Sequence, residues 1–403
     1  MTVEGKGNAD ARFEAWTTEG EPIVDATSEG GRVRARDLGL FFGTAKTGIH
    51  NAITDVKGVR VGHCTLVQGQ GKLEVGKGPV RSGVTAILPT ADTGDQSVFC
   101  QRMSAAGFVL NGAGEMVGLT QVNEWGLIET PIVLTNTLAV GVAHQAVVEH
   151  MLKEVPQIGQ AHDTVIPLIA ECDDSWVSDI AGGHVKGIHV HEALQRAVSS
   201  AGGPVVEGTV GSGTGMMSFD FAGGIGTSSR QLSAEEGSYT VGVLVQSNFG
   251  RIVDLRLGGL PIGLLVEKEY RQVHKRGGDY GSIIVVVATD APLLPHQLKR
   301  VVKRAALGIG RMGGIGGDSS GDIFIAFSTA KPAADASDKV ATVQSIPNET
   351  INPVFEATID ATSEAILNAM LAAETMTGAN GRRVYALPHD RLLAALRKYG
   401  RIR

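Results

Sequence analysis

Two long apolar segments constrain the fold more than any other feature of the sequence. Residues 239–250 read YTVGVLVQSNFG and residues 282–288 read SIIVVVA. A strand with one face in water alternates apolar and polar side chains, whereas a strand covered on both faces is apolar at consecutive positions. Both segments contain such consecutive apolar positions. They therefore predict strands in the middle of a layered structure.

Shorter strand-like segments alternate with helical patterns along the rest of the chain. The predicted strands are rich in β-branched residues, are bounded by glycine turns and lie at 59–62, 83–89, 132–135, 164–171 and within 318–329. Apolar residues spaced by three and four predict helices at 139–154, at 185–199, from Pro295 onward and at 354–376. In the Pro295 helix the expected buried stripe is Leu298, Val301, Val302, Ala305 and Ala306. This alternation predicts a mixed α/β fold.

Composition and charge exclude several classes of protein. The 403 residues include 36 basic and 42 acidic side chains, a net charge of −6, without the clustered basic residues of a nucleic-acid-binding surface. No apolar run approaches the roughly 18–20 residues that span a bilayer, and the start of the chain lacks the pattern of a secretory signal. Cys64, Cys100 and Cys172 form no disulfide framework and suit a reducing compartment. We expect a cytoplasmic protein that binds neither nucleic acid nor membrane.

Two polar segments interrupt the regular pattern. Residues 1–35 are polar and charged without a period, and we expect them to form a loosely held tail. Residues 267–281 read EKEYRQVHKRGGDYG and predict an exposed loop. This loop ends at Gly281, and Ser282 opens the most hydrophobic strand of the chain. A glycine turn before a strand is the simplest interpretation of this junction.

A serine that follows a glycine can also cut its own chain. Glycine permits a strained peptide, so that the serine hydroxyl attacks the preceding carbonyl in an N-to-O acyl shift and water then releases a new N-terminus. The new terminus combines nucleophile and base, because its α-amine has a reference pKa of about 7.7–8.0. Ser282 is therefore a candidate nucleophile, and Gly281–Ser282 is the candidate cleavage site.

Three further polar residues are candidates for the same site. Asn248 ends the first apolar segment, where its amide could stabilise an oxyanion. Ser320 and Asp322 flank Gly321 in a loop that leads into a strand, and side chains at alternate positions of an extended segment point the same way. Taken singly, each of the three is typical of a turn or a cap.

Ten segments in order between about residues 36 and 396 resemble one enzyme family. The segments are ITDVKGVRVGHCTL (53–66), GVTAILP (83–89), NGAGEMVGL (111–119), IETPIVLTNTLAVG (128–141), GTVGSGTGM (208–216), GGIGTSSR (223–230), VGVLVQSNFGR (241–251), GSIIVVVATDAPL (281–293), SSGDIFIAFSTA (319–330) and TMTGANGRRVYALP (375–388). They resemble the L-aminopeptidase/D-esterase and β-peptidyl aminopeptidase family.

The resemblance implies a fold and a way of maturing. The fold is a four-layer αββα sandwich, similar to N-terminal nucleophile hydrolases but with different strand connectivity. Members are precursors that cut themselves before a serine, which here separates an α polypeptide at 36–281 from a β polypeptide at 282–403. The two polypeptides stay together, and family members tend to form tetramers of αβ units.

The resemblance also assigns roles to the candidate residues. Ser282 becomes the nucleophile, Asn248 the oxyanion asparagine and Ser320 the serine that contacts the nucleophile, while Asp322 matches an acidic position that is glutamate in some members. The implied reaction removes N-terminal residues from small peptides, amides or esters and needs no metal or other cofactor.

One motif departs from the family pattern. Where family members often have ETYDG followed by an aromatic residue, this chain has ECDDSW at 171–176. Asp173 takes the place of the tyrosine that is expected to assist the oxyanion, and Trp176 lies close by in sequence. We expect Asp173 and Trp176 to contact substrate, and the substrate range to be affected.

Other candidate chemistry is weaker. His184, His189 and His191 have no carboxylate or cysteine at metal-ligand spacing, so helix-start or surface histidines are expected. Cys172 follows a strand and is expected to be a buried thiol rather than a nucleophile. Two alternatives to the aminopeptidase remain: an acyltransferase like the self-cleaving ornithine acetyltransferases, which use threonine, and a non-catalytic protein that binds amines. Preference for α- or β-amino acids, and for L or D configuration, is left open by the pattern.

Overall fold

The described residues form four stretches, 32–90, 97–266, 281–330 and 343–402, in a computed structural model of the chain. Residues 1–31 of the expected tail and 267–280 of the expected loop lie outside them. Residues 32–35 are described and contact the rest of the protein. The Arg34 guanidinium lies 2.6 Å from the Glu207 carboxylate, and Ala35 is buried.

The elements alternate along the chain as the pattern predicts. The strands are β1 Val59–Gln68, β2 Val80–Pro89, β3 Met103–Gly112, β4 Met116–Val117, β5 Leu127–Ile128, β6 Ile132–Asn136, β7 Leu168–Cys172, β8 Met217–Ser218, β9 Phe221–Ala222, β10 Gly224–Gln231, β11 Thr240–Phe249, β12 Gly281–Thr289, β13 Gly321–Ser328, β14 Met376–Thr377 and β15 Arg383–Val384. The helices are α1 Leu119–Trp125, α2 Val140–Glu154, α3 Gly187–Ser199, α4 Ile262–Val266, α5 Pro295–Met312, α6 Asn352–Leu371 and α7 His389–Lys398.

Two mixed sheets form the centre of the fold. One sheet has the strand order β1-β2-β6-β7-β4 and the other has the order β10-β11-β12-β13-β3-β5. In the second sheet, β12 pairs antiparallel with β11 and parallel with β13. The two segments that were expected in the middle of a layered structure are thus adjacent strands, each with a neighbour on both sides.

Burial along β12 shows that both faces of this strand are covered. Ile284, Val286 and Ala288 belong to a core shared with the five-stranded sheet, whereas Ile283, Val285 and Val287 belong to a second core shared with α5 and α6. Because side chains alternate across a strand, β12 contributes to two separate cores. This explains its continuous apolar sequence.

The helices complete four layers. Helices α2 and α3 cover the outer face of the five-stranded sheet, and α5 and α6 cover the outer face of the six-stranded sheet. Strand β7 of the first sheet contacts β12 of the second. The order is therefore helices, sheet, sheet, helices, and the expected αββα sandwich is confirmed. No helix among the described residues combines the length and the apolar character needed to cross a bilayer.

Two expected elements differ in detail. The helix predicted at 354–376 occurs as α6 but ends at Leu371, and Met376 already pairs in the small β14–β15 hairpin. Strand β3 was not predicted, although it pairs with β13 next to the candidate site. Helix α5 begins at Pro295, as predicted, and buries Leu298, Val301, Val302 and Ala305, with Ala306 partly buried.

Candidate active site

The Gly281–Ser282 bond lies at the first residues of β12. Gly281 has φ of 129° and pairs with Phe249, while Ser282 pairs with Asn248 at the end of β11. A Cβ on Gly281 would lie 2.5 Å from the carbonyl oxygen of Asn248 and 2.7 Å from the Cα of Phe249. Both the backbone angle and the lack of space therefore require glycine before the serine.

The Ser282 side chain is buried between the two sheets. It shares the strand face of Ile284 and Val286 and lies close to the Cys172 thiol. Cys172 ends β7 of the opposite sheet, and its Sγ lies 3.7 Å from the carbonyl oxygen of Gln246. Burial raises the pKa of the Cys172 thiol well above its usual value, so the thiol stays protonated.

Asn248 lies beside the serine on the neighbouring strand and is fully buried. Its side-chain Oδ1 accepts a hydrogen bond from the backbone N–H of Met217 at 2.9 Å, and its Nδ2 donates to the carbonyl oxygen of Asp173 at 3.0 Å. These two bonds fix the orientation of the amide. The amide has two N–H groups, and the second is the group that could donate to a developing oxyanion.

Ser320 and Asp322 lie on the other side of the serine. Ser282 pairs with Gly321 at the start of β13, so both residues flank its partner. The Ser320 hydroxyl donates to Asp322 Oδ1 at 2.6 Å, and both side chains are buried. Burial raises the pKa of the Asp322 carboxyl, while hydrogen bonds from Ser320 and from the backbone of Ile283 oppose this increase.

Asp173 and Trp176 lie at different distances from the serine. The Asp173 carbonyl holds the Asn248 amide, and its Oδ1 accepts the N–H of Ser175 at 2.8 Å. Trp176 packs against a small cluster that contains Met217, and the Arg382 guanidinium lies 4.0 Å from the centre of its ring. Asp173 thus contacts Asn248 directly, whereas Trp176 packs against the cluster that contains Met217, whose backbone N–H also bonds Asn248.

Glu171 is a site residue that the sequence reasoning did not single out. The carboxylate is buried, and its Oε1 accepts the backbone N–H of Glu115 at 2.9 Å, while the Thr137 hydroxyl donates to Oε2. A Cβ on Gly114 would lie 3.0 Å from the Cα of Gly321 and 3.1 Å from Glu171 Oε1, so Gly114 lies close to both. Burial raises the pKa of Glu171. An acidic residue inside an apolar strand, LIAEC, was the available signal.

The three histidines are engaged in separate local contacts. His184 Nε2 lies 2.8 Å from Asp179 Oδ2, His189 Nδ1 accepts the backbone N–H of Lys186, and His191 Nε2 lies 3.5 Å from a Glu149 carboxylate oxygen. Within the four described stretches, no group of three or more His, Cys, Asp or Glu side chains could hold a metal ion. The site consists of a serine, a serine–aspartate pair, an amide and a buried glutamate.

Comparisons with known proteins agree with this arrangement. The sequence model of peptidase family S58 matches residues 51–384. A beta-peptidyl aminopeptidase from Sphingosinicella microcystinivorans is 47% identical over 391 residues, which is 94% of each chain. A Burkholderia beta-aminopeptidase structure has a TM-score of 0.81 and 42% identity, and covers 91% of this chain and 99% of its own.

A third relative connects the fold to its class. The L-aminopeptidase D-Ala-esterase/amidase from Ochrobactrum anthropi has a TM-score of 0.81 and 41% identity, with 92% of this chain and 99% of that chain covered. Its structure is described as a prototype for the serine aminopeptidases and as a new variant among the Ntn hydrolase fold. The family model and these relatives show that the chain belongs to peptidase family S58.

Proposed function

We propose that the chain is a self-processing serine aminopeptidase that releases N-terminal residues from small peptides, amino-acid amides or esters. The observation that carries this function is the pairing of Ser282 with Asn248 directly after Gly281, at the start of the central strand. A nucleophile, an oxyanion donor and a scissile glycine peptide are thereby adjacent. Family membership and the aminopeptidase relatives support the same activity.

Maturation proceeds by self-cleavage. The Ser282 hydroxyl attacks the Gly281 carbonyl, the peptide C–N bond breaks, and the hydroxyl proton passes to the departing nitrogen. This step leaves an ester between Gly281 and the Ser282 side chain. Water then hydrolyses the ester, which produces the Gly281 carboxylate, the free Ser282 hydroxyl and a free α-amine. The α polypeptide ends at Gly281 and the β polypeptide begins at Ser282.

The mature serine performs catalysis with its own amine. The α-amine accepts the hydroxyl proton while Oγ attacks the substrate carbonyl, and the Asn248 amide together with a backbone N–H stabilises the oxyanion. The amine then returns the proton to the leaving group, and an acyl-enzyme remains on Oγ. Water hydrolyses it with the amine as base. Ser320 and Asp322 flank the strand partner of Ser282 and orient the amine.

Selection of a free amino end requires a negative group beside the nucleophile. Glu171 fits this role, because its carboxylate is buried and Gly114 lies close both to it and to Gly321, the strand partner of Ser282. Bringing a substrate ammonium next to Glu171 would offset the desolvation that raises the pKa of this carboxyl. Asp173 lies next to Asn248 and, with Trp176, contacts the rest of the substrate.

The decisive experiment tests for the two polypeptides on a denaturing gel and measures the activity of a Ser282 variant. Purified protein should give two bands on a denaturing gel, with the smaller polypeptide beginning SIIVVV. Ser282→Ala should give one uncut chain without activity on amino-acid anilides, and Gly281→Ala should stay uncut as well, because its Cβ would collide with β11. Ser345→Ala, outside the regular elements, is the matched control and should behave as wild type.

The outcomes decide between the candidate functions. A single band from an active preparation, or turnover by Ser282→Ala, would exclude the N-terminal serine mechanism. A wild-type protein that binds amines but hydrolyses none of a panel of α- and β-amino-acid anilides would favour the non-catalytic alternative. The same panel, with L and D substrates, would establish the substrate preference.

Assembly and location extend the proposal. We expect a tetramer of αβ units, which light scattering of the processed protein would test. A cytoplasmic location is supported by the three free thiols of Cys64, Cys100 and Cys172. Cell fractionation would test it.

A further inference from the structure

Strand β3 contains an irregularity directly opposite Asp322. In the antiparallel pairing of β13 with β3, Asp322 pairs with Asn111 but Ile323 pairs with Val109, so Leu110 has no partner. An extra residue of this kind is a β-bulge, which bends the strand and redirects the neighbouring side chain. The bulge therefore determines where the Asn111 side chain points.

The Asn111 amide contacts the loop that precedes β13. Its Nδ2 lies 2.9 Å from the carbonyl oxygen of Gly317, 3.0 Å from that of Asp318 and 2.5 Å from that of Ser320. The two hydrogens of one amide group are thus shared among three carbonyl oxygens of the same loop. The backbone N–H of Ala113 adds a further bond to the Ser320 carbonyl, at 3.3 Å.

The loop is rich in glycine, and backbone hydrogen bonds from Gly313 and Gly314 to the end of α5 and from Ser320 to Gly317 hold its two ends. The sequence between α5 and β13 is GGIGGDSS, and Gly313 and Gly316 have φ of 104° and 63°. Glycine-rich backbone loses more conformational entropy on ordering than other sequences. An amide that binds three carbonyls of this loop therefore limits the positions that Ser320 can take.

Close backbone packing transmits this constraint to the site. A Cβ on Gly321 would lie 2.9 Å from the Cα of Gly114 and 3.0 Å from the carbonyl oxygen of Ala113. The segment after Asn111 thus lies against the strand partner of Ser282, and the loop held by Asn111 carries the hydroxyl that binds Asp322. A displacement of the loop would pull Ser320 away from Asp322, whose strand β13 pairs with the strand of Ser282.

We propose that Asn111 is a positioning residue for the aminopeptidase reaction: through its three carbonyl contacts it holds the loop of residues 313–320 so that Ser320 and Asp322 stay in register with Ser282. This inference rests on the proposed function. Asn111 acts through the loop and does not contact the reacting atoms. A misplacement of about 1 Å at a catalytic group is enough to lower the rate about 100-fold.

The test compares three variants with wild type. Asn111→Ala removes the donor, and Asn111→Asp keeps the size of the side chain but places carboxylate oxygens against three carbonyls. Asn123→Ala is the matched control. The Asn123 side chain also bonds strand β3, since its Oδ1 accepts the backbone N–H of Gly107, but it does not contact the loop. Each variant is assayed for kcat and KM per mole of processed chain, and for hydrogen–deuterium exchange in residues 313–320.

Both Asn111 variants should lower kcat about 10- to 100-fold with KM within about twofold of wild type, and should speed exchange in the loop. Asn123→Ala should change neither. Retained kcat in either Asn111 variant, or a rise in KM alone, would overturn the inference. If both variants fail to fold, Asn111→Ser is assayed, and a wild-type kcat would overturn the inference equally. Failure of the proposed function would be recognised separately, because Ser282→Ala would then be active or the wild type inactive. The rate of hydrogen–deuterium exchange in residues 313–320 would still show whether Asn111 holds the loop.

Discussion

At the scale of single residues, the site combines groups that the sequence displays with groups that only the fold brings together. Ser282 and Asn248 could be proposed from the sequence because Ser282 opens one long apolar segment and Asn248 lies at the end of the other. Glu171 and Asn111 could not, because their importance comes from contacts with residues far along the chain, Glu115 for one and the 317–320 loop for the other. The position of Asp173 in the site also depends on a long-range contact, the hydrogen bond from the Asn248 amide to its carbonyl oxygen.

Cys172 leads to a first prediction about reactivity. It is fully buried behind Ser282 and its pKa is raised by burial, whereas Cys100 is exposed. Iodoacetamide should therefore label Cys100 in the folded enzyme and leave Cys172 unmodified, with activity unchanged. Peptide mass spectrometry after a timed reaction measures the labelling, and Cys100→Ser is the control that should take up no label. Modification of Cys172 in parallel with loss of activity would contradict the burial.

Asp174 leads to a prediction about pH. Its carboxyl is fully buried near Ser82 and Asn136, and burial raises its pKa from 3.8 to about 7. Because the folded state holds this proton more tightly than the unfolded state, the stability contributed by the group is present below about pH 4 and is lost as pH rises to about 7. Asp174→Asn, which cannot ionise, should raise the melting temperature on the order of 5 °C at pH 8 and change it little at pH 4.

Calorimetry at the two pH values, with exposed Asp163→Asn as the control, measures this effect. The Asp174→Asn difference should grow with pH, whereas Asp163→Asn should follow wild type. An equal effect of Asp174→Asn at both pH values would show that ionisation of Asp174 does not limit stability.

At the scale of elements, burial decides what the sequence can predict. Strands β11 and β12 were evident because both faces are covered, and α5 was evident from its proline start and apolar stripe. Strand β3 was missed because its sequence, MSAAGFVLNG, is rich in small residues and ends half in solvent. Helix α6 was predicted too long, since Ala372 and Ala373 favour helix although the chain leaves it at Leu371.

Helix α5 provides a prediction from two glycines within one element. A Cβ on Gly308 would lie 2.7 Å from the Cβ of Thr362 and 2.9 Å from the carbonyl oxygen of Ile359 on α6, whereas a Cβ on Gly310 would meet no atom of the described residues within 4 Å. Gly308→Ala should therefore force α5 and α6 apart and destabilise the protein by about 1–3 kcal/mol. Gly310→Ala should instead stabilise it by about 0.5–1 kcal/mol.

Denaturant unfolding of the two variants gives both values. Because the substitutions are identical and lie two residues apart in one helix, their opposite signs would isolate the close approach of α5 and α6. Equal changes in the free energy of unfolding for Gly308→Ala and Gly310→Ala would show that only the helix propensity of alanine is being measured.

At the scale of the whole molecule, the proposed cleavage divides a single layered fold between two polypeptides that must stay together. Strand β11 would belong to one polypeptide and its neighbour β12 to the other, so the central sheet itself joins them. Both cores likewise combine residues from before and after Gly281. The pattern of elements predicted only a mixed α/β fold, and the four layers were implied by the family resemblance, because the pairing of β11 with β12 and the contact between the two sheets join segments that are far apart along the chain.

A buried ion pair adds a polar connection between the same two polypeptides. Glu364 on α6 is fully buried and accepts hydrogen bonds from Arg230 at 2.7 Å, from Arg36 at 3.0 Å and from Asn51, all of which precede Gly281. Glu364→Gln should leave the buried Arg230 without a counter-charge and destabilise the processed enzyme by about 3–5 kcal/mol. The glutamine N–H₂ group would also oppose one of the donors.

Thermal unfolding of the processed protein, together with size-exclusion chromatography to detect separated polypeptides, measures this loss. Glu356→Gln is the matched control, because Glu356 lies on the same helix but is exposed. A melting temperature for Glu364→Gln equal to that of Glu356→Gln would show that the apolar cores alone hold the two polypeptides together. A much lower melting temperature for Glu364→Gln than for Glu356→Gln would establish that the Arg230–Glu364 pair helps to hold the two polypeptides together. The same association keeps Ser282 beside Asn248.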